Sequence, residues 1–74
     1  MKINTVNIIE YADDDLLGLT SFSEDQKGNQ EAEAHFKSVI KEYDSKVTEE
    51  ELETFVEDGY YEQGTYQAFL YHSA

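Results

Sequence analysis

The segment from Lys46 to Gly59, KVTEEELETFVEDG, constrains the fold most, because it specifies a short helix together with both of its ends. Thr48 is the N-cap: its hydroxyl accepts from a first-turn amide that has no partner inside the helix. Glu51, three residues on, reaches back to the Thr48 amide, which makes a capping box. Val47 before the cap and Leu52 at the fourth helical position have the spacing of a hydrophobic staple. Gly59 supplies the left-handed residue that ends the helix. Leu52, Phe55 and Val56 share one face, while Glu49, Glu50, Glu53 and Glu57 lie mostly on the others. The element buries one small apolar stripe and shows water a dense field of carboxylates.

The chain before this helix reads as strand, strand, helix. Ile3 to Tyr11 is rich in β-branched residues, with Val6 and Ile8 on one face and Ile9 and Tyr11 on the other. A strand that is apolar on both faces suits a central position. Asp13, Asp14 and Asp15 form a turn, and Leu16 to Phe22 is a second strand, so the two make an antiparallel hairpin. In the second strand Leu17 and Leu19 share one face, and Leu16, Gly18, Thr20 and Phe22 the other. Ser23 to Asn29 is polar, contains Gly28 and reads as a loop. A helical turn from Ser23 is the alternative, since Ser23 and Gln26 also have capping-box spacing. From Gln30 to Tyr43, Ala32, Phe36, Val39, Ile40 and Tyr43 recur at helical steps.

After Gly59, Tyr60 and Tyr61 lead into a turn at Glu62-Gln63-Gly64. Thr65 to His72 then alternates as a strand, with Tyr66, Ala68, Leu70 and His72 opposite Gln67, Phe69 and Tyr71. The expected fold is one α+β domain of two layers, a three-stranded, mainly antiparallel sheet with two helices on one face, in the order β-β-α-α-β. The last strand is expected beside the first. The expected core is Val6, Ile8, Leu17, Leu19, Phe36, Val39, Ile40, Leu52, Phe55, Val56, Phe69 and Leu70.

Charge narrows the function. Seventeen acids face five lysines and no arginine, for a net charge of −12 in 74 residues. Direct binding to nucleic acid or to an anionic membrane needs clustered Lys or Arg, which this chain lacks. A basic protein surface is the natural complement. The alternative is that the charge serves solubility alone. Ten aromatics, clear apolar patterning and no proline argue against disorder. The absence of cysteine removes disulfides, thiolate chemistry and sulfur-based zinc sites. The amino terminus lacks the apolar run of a signal peptide and no stretch can span a bilayer, so a cytoplasmic protein is expected.

No catalytic motif is present. Asp13-Asp14-Asp15 lacks the alternating ligand spacing of a calcium loop, so it reads as a turn and no metal or other cofactor is expected. His72 and Ser73 are neighbours on a strand and point to opposite faces, so they make no dyad. The candidates are instead partner-binding residues. Glu49, Glu50, Glu51, Glu53, Glu57, Asp58 and Glu62 fall within fourteen residues that contain no lysine. Like charges three or four apart on a helix destabilise it by roughly 0.2–0.5 kcal/mol per pair. The first-turn acids recover part of this from the helix dipole, whereas Glu57 and Asp58 sit at its negative end. Six tyrosines exceed what so small a core can hold, and Tyr suits interfaces because one end is apolar and the other stays wet. Tyr60 and Tyr61, directly after the acidic helix, are the expected anchors.

In size, charge and its combination of tyrosines and acids, the chain resembles the small acidic proteins that bacteriophages direct against host defence, anti-CRISPR proteins and other DNA mimics among them. The resemblance rests on Glu49, Glu50, Glu53, Glu57, Asp58 and the Asp13-Asp14-Asp15 turn. It implies a non-enzymatic, stoichiometric inhibitor that occupies a basic, nucleic-acid-binding surface of a nuclease or CRISPR complex; the chain itself is expected to be a monomer or weak dimer. The alternative is a small acidic interaction module, antitoxin-like or a phage accessory protein, without nucleic-acid mimicry.

Overall fold

Alternation of apolar and polar residues through Thr5–Ala12 and Tyr66–Ser73, and helical spacing through Gln26–Tyr43, set the frame of the computed structural model, which describes residues 5–73. The elements are β1 (Thr5–Ala12), β2 (Asp15–Ser23), α1 (Gln26–Tyr43), α2 (Glu49–Asp58), β3 (Tyr60–Gln63) and β4 (Tyr66–Ser73). They form one antiparallel sheet in the order β2-β1-β4-β3, with both helices packed on one face. The expected place of the last strand beside the first holds, and β1 is central. Ile3 and Asn4, expected in the first strand, lie outside the described residues.

The sheet has four strands rather than three. Tyr60–Gln63 is not a lead-in to a turn but an edge strand paired with β4, joined to it by the two-residue turn Gly64-Thr65. Four residues are too few for alternation to register as a strand in the sequence. The β1–β2 turn is also two residues long. Asp13 and Asp14 both have positive φ, 53° and 67°, the geometry whose twist matches a hairpin, and Asp15 already belongs to β2.

On the helix-covered face, Val6 and Ile8 of β1 lie opposite Phe22 and Thr20 of β2 and opposite His72 and Leu70 of β4. Above them pack Ala32, Phe36 and Ile40 of α1 and Leu52 of α2, with Tyr61, Tyr66 and Ala68 completing the buried cluster. Phe36, Ile8, Ile40, Leu52 and Val6 are fully enclosed, and each such side chain contributes about 1.5–3 kcal/mol by leaving water. Leu17 and Leu19 do not join them, being 54% and 58% exposed. The register gives the core side of β2 to Gly18, Thr20 and Phe22, and a bulge between Glu10 and Tyr11 of β1 leaves Leu17 as an extra residue. Phe69 also points away from the helices, on the face of its register partner Ile9.

Both helices are capped by their own sequence. Thr48 accepts from the Glu51 amide and Glu51 accepts from the Thr48 amide, as the capping box requires. Gly59 ends α2 with φ 70°, donates to Phe55 and Val56, and its carbonyl accepts from the Leu70 amide. This one residue turns the chain from helix into β3. Helix α1 begins four residues before the expected Gln30, because Asp25, not Ser23, is its N-cap and accepts from the Gly28 amide at 2.6 Å. Gly28 lies in the first turn against β2: a Cβ there would stand 1.7 Å from the Ser23 carbonyl oxygen.

Candidate partner-binding surface

The acidic helix presents its carboxylates as the sequence suggests. Glu49, Glu50, Glu51, Glu53, Glu57 and Asp58 are all exposed. At 3.6 residues per turn, Glu50, Glu53 and Glu57 fall within about 60° of one another, opposite the buried Leu52, and the stripe is about 10 Å long. Not every acid of the helix is equally free. Glu51 is held by the capping box, and Glu49 forms an ion pair with Lys41 of α1 at 3.6 Å. Among the described residues no other salt bridge reaches α2, so Glu50, Glu53, Glu57 and Asp58 form no ion pair.

Glu53 and Glu57 also wall a shallow groove between the two helices. It has a volume of about 340 Å³ and is completed by Glu33 and Lys37 of α1 and by Val56. Lys37 stands there among three carboxylates, so the groove as a whole stays acidic.

The aspartate turn lies at the end of the sheet over which α1 finishes. The Asp13 amide donates to the Thr65 carbonyl at 3.2 Å, which locks the β1–β2 and β3–β4 turns side by side. Tyr66, opposite Ala12 in the register, stacks on Tyr43 at 3.7 Å, so α1 ends and the link to α2 begins over the same end of the sheet. Asp13, Asp14 and Asp15, all exposed, and the first turn of α2 therefore share one end of the fold.

The tyrosine pair does not survive as an anchor. Tyr61 is 3% exposed, with its ring against Phe55 at 5.0 Å and Tyr66 at 6.2 Å, and its hydroxyl donates to Gln63. Burial, then the nearby charge of Asp44, pushes its pKa up. Tyr60 is 37% exposed but points through the other side of the sheet, onto Phe69. Neighbours in a strand face opposite ways, so pairing of residues 60–63 with β4 separates the two rings. Tyr66 is buried as well, and its hydroxyl donates to Glu10 at 2.7 Å. Burial first, then that bond, raises its pKa.

Tyr60 belongs instead to a surface on the helix-free side of the sheet. On the face without helices, Tyr60 donates to Glu62 at 2.9 Å and Gln67 donates to the same carboxylate at 2.9 Å. The Gln67 bond, then the Tyr60 bond, holds the Glu62 pKa below the usual carboxylate range, and the carboxylate in turn raises that of Tyr60. Ile9, Tyr11, Leu19, Phe69 and Tyr71 share this face. Its signal in the sequence is the presence of apolar residues on both faces of β1 and β4.

His72 meets Glu24 at 2.9 Å, and His35 lies against Phe22. No group of three or more His, Cys, Asp or Glu side chains among the described residues is placed to hold a metal ion. No helix among them is long and apolar enough to cross a membrane. No family model, curated protein or solved structure matches the chain.

Proposed function

We propose that this protein is a stoichiometric binder of a basic, nucleic-acid-binding protein surface, acting by occupancy rather than catalysis, as small anti-defence inhibitors of nucleases and CRISPR complexes do. The observation that supports it is the Glu50-Glu53-Glu57 stripe with Asp58. It is exposed, held on a helix capped at both ends, and unpaired with any lysine among the described residues. Carboxylates fixed on a helix can stand where phosphates stand in a groove lined with Lys and Arg. The Asp13-Asp14-Asp15 turn adds a second acidic contact at the helix's amino-terminal end. Glu49 contributes less, because Lys41 offsets it.

A second reading, an interaction module without mimicry, is favoured by the apolar sheet face, which an acidic contact leaves unused. One experiment separates them. Capture of partners on immobilised protein is compared in low and high salt, with and without competing DNA or RNA, and with Glu50→Lys combined with Glu53→Lys. The mimic loses its partner to salt, to nucleic acid and to the charge reversals, because exposed charges are screened beyond about 8 Å at physiological ionic strength. A partner retained under all three conditions overturns this reading.

A further inference from the structure

We propose that the helix-free face of the sheet is the contact surface for a second copy of this chain, the two sheets meeting face to face. The register places Leu19, Ile9, Phe69 and Tyr60 directly opposite one another, one residue on each of the four strands. This apolar row runs the full width of the sheet. Leu16 opposite Tyr11 flanks it on one side, and Tyr71 opposite Asn7 on the other. Phe69 carries Tyr11 edge-on at 6.1 Å and Tyr60 at 5.0 Å. Leu16, Leu19, Tyr60 and Tyr71 remain exposed. Single surface leucines are ordinary, but an aligned row across a sheet is a contiguous patch of the kind that marks an interface.

Charge selects the occupant. The described strands carry three acids, Glu10, Asp15 and Glu62. Glu10 turns to the helix side, where Tyr66 donates to it, and Asp15 lies beside Ala12 at the hairpin end. Glu62 is left on the free face, at its β3 edge, already bound by Tyr60 and Gln67. A chain of net charge −12 has thus kept one broad face almost free of charge. A basic partner is drawn to the helices, not here. A second copy offers the same neutral, apolar surface and turns its own acidic helices outward.

The dimensions permit it. Strands of eight, nine, four and eight residues at about 3.3 Å each, spaced about 4.8 Å apart, outline roughly 460 Å². Two such faces bury on the order of 900 Å², below the roughly 1,200–2,000 Å² of stable interfaces and in the range of weak, transient ones, so the pair is weak. Layers spaced by about 10 Å put the two helix layers on the order of 30 Å apart. That exceeds the roughly 8 Å screening length, so the acids of the two copies do not forbid contact. Salt removes the residual repulsion and tightens this pair, the opposite of its effect on a basic partner. Failure of one proposal is therefore distinguishable from failure of the other.

Sedimentation equilibrium of the full chain over a concentration series tests it, with Leu19→Lys, Tyr71→Lys and Glu50→Lys variants beside the wild type. The expected wild type shifts from 8.5 kDa toward twice that mass as concentration rises, and shifts further with added salt. Leu19→Lys and Tyr71→Lys, at positions exposed in the single chain, stay monomeric with an unchanged far-UV spectrum. Glu50→Lys pairs as the wild type does. A wild type that stays at 8.5 kDa at every concentration overturns the proposal. So do lysine variants that pair normally, or hydrogen-exchange protection confined to the outward amides of β2, which means edge pairing instead. A monomeric wild type whose Leu19→Lys variant loses its captured partner also overturns it and gives the face to that partner.

Discussion

Tyr61→Ala and Tyr60→Ala, two neighbouring truncations of the same residue type, are expected to differ sharply in stability. Tyr61 is buried among Phe55, Tyr66 and the α2 helix. Removing a buried aromatic ring lowers stability by about 3–5 kcal/mol, and the edge-on packing of Tyr61 on Phe55 supplies part of that. A 74-residue domain has roughly 4–11 kcal/mol in total, at 0.05–0.15 kcal/mol per residue. Tyr61→Ala therefore removes from about a quarter to all of the total stability. Tyr61→Phe keeps the ring and removes only the bond to Gln63, about 0.5–1.5 kcal/mol. Tyr60→Ala removes a half-exposed ring on an edge strand and is expected to lower stability by about 1 kcal/mol or less. Urea titration followed by far-UV circular dichroism reads all three. Equal destabilisation of the two alanine variants, or a Tyr61→Ala variant within about 1 kcal/mol of the wild type, would refute the placement of β3 and of the ring beneath α2.

Other outcomes follow from single interactions. Gly59→Ala is expected to lower stability by more than the roughly 1–2 kcal/mol of a left-handed non-glycine residue, because its Cβ would stand 2.6 Å from the Leu70 carbonyl oxygen; thermal melts check it. Thr48→Ala removes one half of the capping box and is expected to lower stability by about 1 kcal/mol in the same assay. Asp25 has its pKa held down by the Gly28 amide and then by Ser23, so its ionised form favours folding. That contribution is present above the ordinary carboxylate range and is lost as pH falls through the lowered pKa. The stability difference between wild type and Asp25→Ala should accordingly shrink in acid, measured by urea titration from neutral to acid pH.

What the sequence made legible was whatever local chemistry decides. Thr48, Glu51 and Gly59 encode the ends of α2 without help from the rest of the chain, and both ends stand where they were expected. β1 advertised its central place by carrying apolar residues on both faces, and β4 did pair with it. What escaped is decided by tertiary partners. In β2 both faces offer apolar residues, so only the pairing with β1 reveals that Phe22 goes inward and Leu19 outward. Tyr60-Tyr61 looked like one anchor because nothing in four residues announces an edge strand, yet strand pairing sends the rings to opposite sides. The start of α1 was hidden by Gly28, which suggested a loop but instead lets the helix press against the Ser23 backbone. The acidic stripe was legible because exposure of charge on a capped helix needs no tertiary information, whereas the Lys41–Glu49 pair depends on how the two helices meet.

The proposed basic partner makes one demand that needs no knowledge of its identity: positive charge must collect on α2 and the adjoining turn. Amide chemical shifts of the labelled protein, titrated with a short lysine- and arginine-rich peptide, map where it collects. The expected shifts are largest at residues 49–58 and 13–15, fade with added salt, and at 49–58 fall sharply when Glu50→Lys and Glu53→Lys are combined. Shifts centred on Ile9, Leu19, Phe69 and Tyr60, or shifts that ignore salt and both charge reversals, would contradict it.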